Sequence, residues 1–150
     1  MIETIVATLG AAAIGGSAFV RMSPVEAAKW HVDPETEGRT GPGRYLVAEG
    51  GDRPPLTLSA PPSAVLEALD HIAQATPRTT RIAWEPEVGR ATYMTRSRVV
   101  GFPDFTSVKV SPDGQGSAVT AYARLRYGRE DMGVNRRRVT DWLTELGTSL

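Results

Sequence analysis

The opening segment constrains the fold most, because no residue from Thr4 to Val20 carries a charge. Glu3 and Arg21 bracket this uncharged run. A helix of this length spans roughly 25 Å at about 1.5 Å per residue, close to a hydrocarbon core of about 30 Å, and one apolar residue on either side extends it. We therefore predict a transmembrane anchor over residues 1–22.

Two other interpretations of this segment stay open. Gly16-Ser17-Ala18 resembles the small-residue cleavage site of a signal peptide, but Glu3 stands before the apolar run and no Lys or Arg does. A helix buried in a globular core also contains a long apolar run. The charge pattern fits an anchor better than a cleavable signal.

Small residues recur at every fourth position inside the apolar run. One stripe comprises Ala7, Ala11 and Gly15, and a second, beside it, comprises Thr8, Ala12 and Gly16. Such stripes let two helix backbones approach closely in a membrane. We predict that the first stripe packs against another transmembrane helix, in a homodimer or in a larger complex. The alternative is that the stripes merely reflect an Ala-rich composition.

The composition limits the remaining possibilities. A chain of 150 residues leaves room for about one domain after the anchor and a linker. Because 17 basic residues balance 17 acidic ones, we expect no nucleic-acid partner, which would need a strong positive field. The absence of cysteine excludes disulfides, thiol nucleophiles and thiolate zinc sites.

Residues 23–61 are predicted to form a juxtamembrane helix and a Pro/Gly-rich linker. Ser23-Pro24-Val25-Glu26 has the pattern of a capping box, so a short helix is expected to run to about Trp30. Trp30 is expected either at the membrane interface or packed under the domain. Turn signals in the linker interrupt two short extended candidates, at residues 44–48 and 56–59.

The compact domain is predicted over residues 62–150. Apolar residues at helical spacing mark a helix that begins at Pro62 and is stopped by Pro77, and a final helix spans about 135–146. Strand patterns occupy about 79–85, 90–98, 105–110 and 117–127, and the last of these alternates apolar and polar residues. The predicted fold class is α+β, with a four-stranded antiparallel sheet packed against two helices in the order α-β-β-β-β-α.

The join between the last strand and the last helix carries a family resemblance. The residues that carry it are Arg126, Gly128, Asp131, Gly133, Asn135, Arg138 and Val139, preceded by Gly101-Phe102-Pro103-Asp104-Phe105. Their spacing resembles the signature of an uncharacterised bacterial and plastid family, number 1499 in the domain-of-unknown-function series. The resemblance covers about residues 62–146. It implies an N-terminal hydrophobic segment and favours a domain that faces the periplasm.

The same residues have a structural interpretation that needs no ligand. Gly128 and Gly133 permit backbone angles that other residues disfavour, Asn135 is a good helix N-cap, and Asp131 accepts hydrogen bonds. Arg126 and Arg138 are both expected to reach Asp131 or Asp104 and so to tie the start of the helix to the edge of the sheet. We therefore assign Asp104, Gly128, Asp131, Gly133 and Asn135 to a structural junction.

A basic cluster near the last helix suggests an anionic partner. Arg136, Arg137 and Arg138 stand in its first predicted turn, where the helix dipole disfavours cations, and Arg126 lies nearby. A bound anion, such as the phosphate of an anionic lipid, would compensate for this repulsion. The alternatives are compensation by neighbouring acidic residues and a simply solvated face.

Catalytic and metal-binding candidates are few. His31 and Asp33 offer two metal ligands without a third at ligand spacing, and His71 on the first domain helix is best explained as structural. Glu85 and Glu87 flank a turn proline and are expected to be solvated. The sequence thus predicts no catalytic residues, no metal and no cofactor.

The sequence favours a membrane-tethered, non-enzymatic interaction module, an accessory or assembly subunit of a membrane protein complex in the bacterial inner membrane. One alternative is a lipid or small amphipathic-ligand binding domain, with its pocket between the sheet and the helices. Another is an enzyme with a polar cleft that contains Asp104, Asp131, Asn135 and Arg138. Arg21 and Lys29 after the span favour a cytoplasmic domain, so the side of the membrane stays open.

Overall fold

A long apolar helix, α1 (Ile2–Met22), precedes the folded domain. The computed structural model describes residues 2–150, with side chains from residue 5 onward. The 18-residue window Ile5–Met22 has a mean hydropathy of 1.5, and only 6% of it is buried. This helix is long and apolar enough to cross a membrane, a property that it shares with signal sequences.

The last turns of α1 are attached to the domain through the loop 97–102. The Ser17 hydroxyl donates a 2.9 Å hydrogen bond to the Val100 carbonyl, and the Arg21 guanidinium donates one of 3.1 Å to the Val99 carbonyl. Val20, the neighbour of Arg21 in the chain, is buried. The helix therefore leaves the domain from one defined end.

The domain is built on one antiparallel sheet of six strands. The strands are β1 (Arg44–Val47), β2 (Leu56–Leu58), β3 (Thr79–Glu85), β4 (Arg90–Arg96), β5 (Pro103–Asp113) and β6 (Gly116–Leu125). Their order is β1-β6-β5-β4-β3, and β2 also pairs with β6, beyond the end of β1. A 3₁₀ turn (Pro86–Val88) joins β3 to β4, and a tight turn joins β5 to β6.

The sequence predicted four strands, and this prediction is wrong because the sheet has six. Both extended candidates of the predicted linker form strands, and each pairs with a different part of β6. The physical reason is the edge of β6, whose open backbone groups need partners along their whole length. Residues 44–58 supply them, so much of the linker belongs to the sheet.

Two helices, α4 (Pro62–Ala75) and α5 (Val134–Ser149), pack on one face of the sheet. Their apolar stripes meet the inward residues of the central strands in a single core. Leu69 and Leu146 are 1% and 0% exposed, and the rings of Tyr93 and Trp142 meet edge to face with centroids 5.6 Å apart. The two helices were expected from their periodicity, and α5 extends beyond the predicted bounds at both ends.

The other face of the sheet is covered by the segment before β1. This segment contains two single-turn helices, α2 (Ala27–Trp30) and α3 (Pro34–Glu37). The expected capping box is absent, because Glu26 is the N-cap of α2 and makes no side-chain cap bond. The ring of Trp30 stacks on Phe105 at 4.0 Å between centroids. Trp30 therefore packs under the domain, which was one of its two expected positions.

Candidate functional site

The start of α5 is held by the carboxylate of Asp131. This carboxylate accepts hydrogen bonds from the backbone N–H groups of Gly133 (3.0 Å) and Asn135 (2.8 Å). Gly133 is the N-cap, with a left-handed φ of 77° that favours glycine. Asn135, expected as the N-cap, instead lies inside the helix and is 0% exposed. An internal carboxylate thus occupies the place where the sequence suggested an external anion.

Behind this cap lies a largely buried ion pair between α5 and β5. Arg138 donates a 2.8 Å hydrogen bond to the Asn135 side chain and contacts the Asp104 carboxylate at 3.4 Å. The two charged side chains are only 9% and 15% exposed. Burial raises the pKa of Asp104 against the opposing effect of Arg138, and burial lowers the pKa of Arg138. Asp104, Asp131, Gly133 and Asn135 are thus connected, through Arg138, in one cluster of hydrogen bonds.

The four arginines proposed as an anion site do not converge. Arg126 donates to the Pro24 carbonyl, and Arg137 donates to the Met132 carbonyl. Arg136 lies over the Tyr45 ring, 5.9 Å from its centroid. Arg138 contacts Asn135 and Asp104, so each of the four arginines has different neighbours. Gly128, the remaining junction residue, adopts a φ of 90° in an open turn.

A second polar cluster lies between α2, α3 and the outer face of the sheet. His31 hydrogen-bonds Thr92 through Nδ1 (2.8 Å) and Glu85 through Nε2 (2.9 Å). Lys109 makes ion pairs of 2.8 Å with Asp33 and 2.7 Å with Glu35. These contacts fasten the covering segment to the strands. Over residues 2–150, no group of three potential ligands could hold a metal ion, and His71 is exposed on α4.

Arg124 is the feature of this face that the sequence analysis missed. The residue is 6% exposed, yet it makes no ion pair within the part of the chain that the structure describes. Its guanidinium donates to the carbonyls of Trp30 and Tyr122 and to the Ser107 hydroxyl, and it lies over the Trp30 and Tyr122 rings. Burial lowers the pKa of Arg124 to about 10.

A cleft of about 430 Å³ opens beside Arg124. Its lining contains four cationic side chains and one acidic one: Lys29, Arg39, Arg44, Arg124 and Glu37. Two aromatic residues, Trp30 and Tyr122, complete its walls. A signal for this cleft was present in the sequence of β6. Tyr122 and Arg124 are two residues apart, so they lie on the same, polar face of the strand.

Another cleft, of about 360 Å³, lies at the N-terminal end of α4. It is bounded by Leu66, Val110 and the 3₁₀ turn, and Trp84 and Val88 on its rim are 37% and 48% exposed. Exposed apolar side chains around a concave surface are typical of binding grooves.

The fold resembles solved structures of low sequence identity. The crystal structure of Ara h 8.0201 gives a TM-score of 0.50 at 10% identity, over 70% of this chain and 94% of that chain. Protein CV1439 from Chromobacterium violaceum gives a TM-score of 0.43 at 15% identity, over 72% and 97% of the two chains. TTHA0849 from Thermus thermophilus gives 0.36 at 14% identity, over 70% and 88%. At such identities the first likeness shows a shared fold alone.

Sequence comparison places the chain in a family. No curated protein sequence matches the chain significantly. The family described as "Protein of unknown function (DUF1499)" matches residues 31–146, a range that includes both polar clusters and all six strands. The chain belongs to this family, as the spacing of the junction residues indicated.

Proposed function

We propose that this protein is a membrane-tethered, non-enzymatic interaction module, an accessory or assembly subunit of a membrane protein complex. It would cross the bacterial inner membrane once, through α1. The observation that carries the proposal is the exposure of large apolar side chains along α1: Ile5, Leu9 and Ile14 are 54%, 66% and 73% exposed. So much apolar surface on one helix is stable in hydrocarbon and unfavourable in water.

The small-residue stripe on α1 supports a partner inside the membrane. Ala7, Ala11 and Gly15 are exposed, and a Cβ atom added to Gly15 would meet no atom within 4 Å. The stripe is therefore open to close approach by a second helix. This partner is either a second copy of the chain or another integral membrane protein.

The attachment of α1 supports a domain held close to the bilayer. Ser17, which bonds the loop 97–102, lies one helical turn before Arg21, or about 6 Å deeper along the helix axis. If the span ends near Arg21, the loop lies at the level of the lipid headgroups. Val99 in this loop is 83% exposed, and Phe102 is 41% exposed.

Mild solubilisation of the full chain, followed by identification of the proteins that co-purify, tests the proposal. We expect Ala11→Leu combined with Gly15→Leu to remove the partner, because two large side chains prevent close helix contact. Leu9→Val, which alters the opposite face of the same helix, is the matched control and should keep the partner. All variants should stay in the membrane fraction.

Two outcomes would overturn the proposal. The first is recovery of the intact chain in the soluble fraction after lysis without detergent. The second concerns the variant with leucine at positions 11 and 15. The proposal is overturned if this variant keeps the same co-purifying proteins and, after chemical crosslinking, the same oligomer.

A second candidate function is binding of a small amphipathic ligand, and the apolar cleft beside Trp84 favours it. Its position between α4 and the sheet rim suits an acyl chain or a similar molecule. Lipid analysis of the purified chain tests this alternative directly. The enzymatic alternative has less support, because Asp131 caps α5 and Asp104 pairs with Arg138.

A further inference from the structure

The cleft beside Arg124 carries more positive charge than its surroundings balance. Four cationic side chains and one carboxylate line it, and Lys29, Arg39 and Arg44 are exposed at its rim. Among the described residues, none of the four cations lies within 4.0 Å of a carboxylate oxygen. Elsewhere on the same face, Lys109 and Arg90 each have an acidic partner. The cleft thus differs from the rest of this face, because its cations lack acidic partners within ion-pair distance.

The backbone brings two of these cations into direct opposition. Arg44 in β1 is the register partner of Arg124 in β6, on the face away from the helices. Like charges directly opposite one another in an antiparallel pair destabilise a sheet. Arg44 retains the freedom of an exposed side chain, so it can turn toward an anion that is bound at Arg124.

The guanidinium of Arg124 is held in place by its neighbours, independently of the charge at the rim. Its guanidinium is fixed by hydrogen bonds to the Ser107 hydroxyl and the Tyr122 carbonyl, both 3.0 Å, and by contact with the Trp30 carbonyl. The rings of Tyr122 and Trp30 lie 4.8 and 5.3 Å from its central carbon. A guanidinium held this rigidly loses little freedom when it binds an oxyanion.

We propose that this cleft binds a phosphate group, with Arg124 at its base and Lys29, Arg39 and Arg44 at its rim. A phosphate offers several oxygens to several donors at once, whereas a single carboxylate could engage fewer of the four cations. The aromatic walls suit the organic part of a phosphate ester. The phosphate comes either from a lipid headgroup, since Lys29 follows α1 closely in the chain, or from a soluble phosphate ester.

Calorimetric titration of the full chain in a non-ionic detergent, with inorganic phosphate at constant ionic strength, tests the site. We expect saturable binding that Arg39→Gln and Arg44→Gln each weaken by about tenfold, because each removes a charge-assisted contact. Arg98→Gln, an exposed arginine of the loop 97–102, is the control of equal charge and should bind as the unaltered chain does. Arg124→Lys keeps the charge but loses the planar fork, and we expect it to bind more weakly.

Three results would overturn the proposal. They are a titration without saturable heat, an unchanged affinity in both rim variants, and an equal loss in the Arg98 control. The rim residues are exposed, so their variants should keep the circular dichroism spectrum of the unaltered chain. The test does not depend on the membrane partner, so it can fail while the proposed interaction module stands.

A second pair of titrations separates the two phosphate sources. The chain is placed in nanodiscs of phosphatidylcholine alone, or of an equimolar mixture with phosphatidylglycerol, and is again titrated with inorganic phosphate. Phosphatidylcholine also carries a phosphate, so the binding measured in detergent is the reference. If lipid headgroups fill the site, nanodiscs will weaken this binding, and the anionic ones will do so most strongly. Binding in both nanodiscs that equals the binding in detergent, after correction for surface charge, assigns the site to a soluble phosphate ester.

Discussion

Arg124 occupies a position where a cation is costly. Removing an ionised group from water costs several kcal/mol unless hydrogen bonds and opposite charge replace the solvent. Here two carbonyls, one hydroxyl and two aromatic faces replace most of the water. Arginine suits this position better than lysine, because its planar guanidinium is weakly hydrated and stacks on rings. The retained charge gives the cleft its fixed positive base.

At the start of α5, the negative charge of Asp131 compensates for partial positive charge. The first backbone N–H groups of a helix have no partner within the helix, and the helix dipole places partial positive charge there. The Asp131 carboxylate accepts two of these N–H groups from a position before the helix. It also offsets the arginines of the first turn, so no external anion is required there.

We predict that Asp131→Ala destabilises the domain by about 1–2 kcal/mol, the usual effect of losing a helix cap. The physical reason is that two partly buried N–H groups lose their acceptor and the helix dipole loses its counter-charge. Urea unfolding of the full chain in detergent, followed by circular dichroism, measures this change.

Glu49→Ala is the matched control for the cap. Glu49 is an exposed acidic residue in the loop after β1, so its removal changes the net charge equally without touching α5. We expect the control to keep the midpoint of unfolding. A similar midpoint for both variants would contradict the capping role of Asp131.

At the scale of elements, α2 and α3 act as a strap across the outer face of the sheet. Stacking of Trp30 on Phe105 anchors the strap at one point, and the His31–Glu85 hydrogen bond and the Asp33–Lys109 ion pair anchor it at others. Burial tends to raise the pKa of Asp33, but the hydrogen bonds from Lys109 and the Glu35 N–H together lower it. The hydrogen bond from His31 lowers the pKa of Glu85.

These lowered pKa values predict that the strap loosens in acid. A carboxylate with a lowered pKa stabilises the folded state above its unfolded pKa, near 4, and this contribution is lost as the pH falls through the folded pKa. We expect hydrogen-exchange protection of residues 27–37, corrected for intrinsic rates, to decrease below about pH 4. Protection of α4 should change little over the same range.

Substitution at neutral pH separates this effect from general acid unfolding. Asp33→Asn combined with Glu85→Gln should reproduce the loss of strap protection at pH 7, because it removes the same charges. The strap would have another origin of stability if the double variant kept the protection of the unaltered chain at neutral pH.

At the scale of the whole molecule, the two ends of the sheet differ. The loop 97–102 lies at the end that bears α1, and the β5–β6 turn lies at the other end, because it follows the full length of β5. Exposed apolar side chains lie near α1 in this loop, where Val99 is 83% exposed. If α1 spans the bilayer, the molecule presents one end to lipid and the other to water.

We predict that a probe at residue 99 lies near the headgroups and a probe at residue 115 does not. The chain contains no cysteine, so Val99→Cys and Gln115→Cys each give a single labelling site. A fluorophore at position 99 should be quenched strongly by lipids with nitroxide headgroups in reconstituted bilayers. The label at position 115, at the distal turn, is the control. Equal quenching at both positions would contradict this orientation.

Local periodicity in the sequence was sufficient to locate the main elements. The apolar spacing of α4 and α5, and the Ser-Pro-Asp-Gly turn before β6, depend on neighbouring residues alone. The alternation in β6 likewise separated the core-facing residues from Tyr122 and Arg124. The junction residues were found because their spacing is shared within the family.

Partnership between distant segments could only be decided in three dimensions. Strands β1 and β2 carry weak local signals, and they became strands because β6 offered unpaired backbone groups. The same holds for Trp30. It stacks on the ring of Phe105, which lies 75 positions later in the chain. The opposition of Arg44 and Arg124 follows from a register that no local pattern encodes. Sequence therefore determined the apolar N-terminal helix, the two domain helices and the central strands, whereas the sheet edges, the strap and the cationic cleft depend on contacts between residues far apart in the chain.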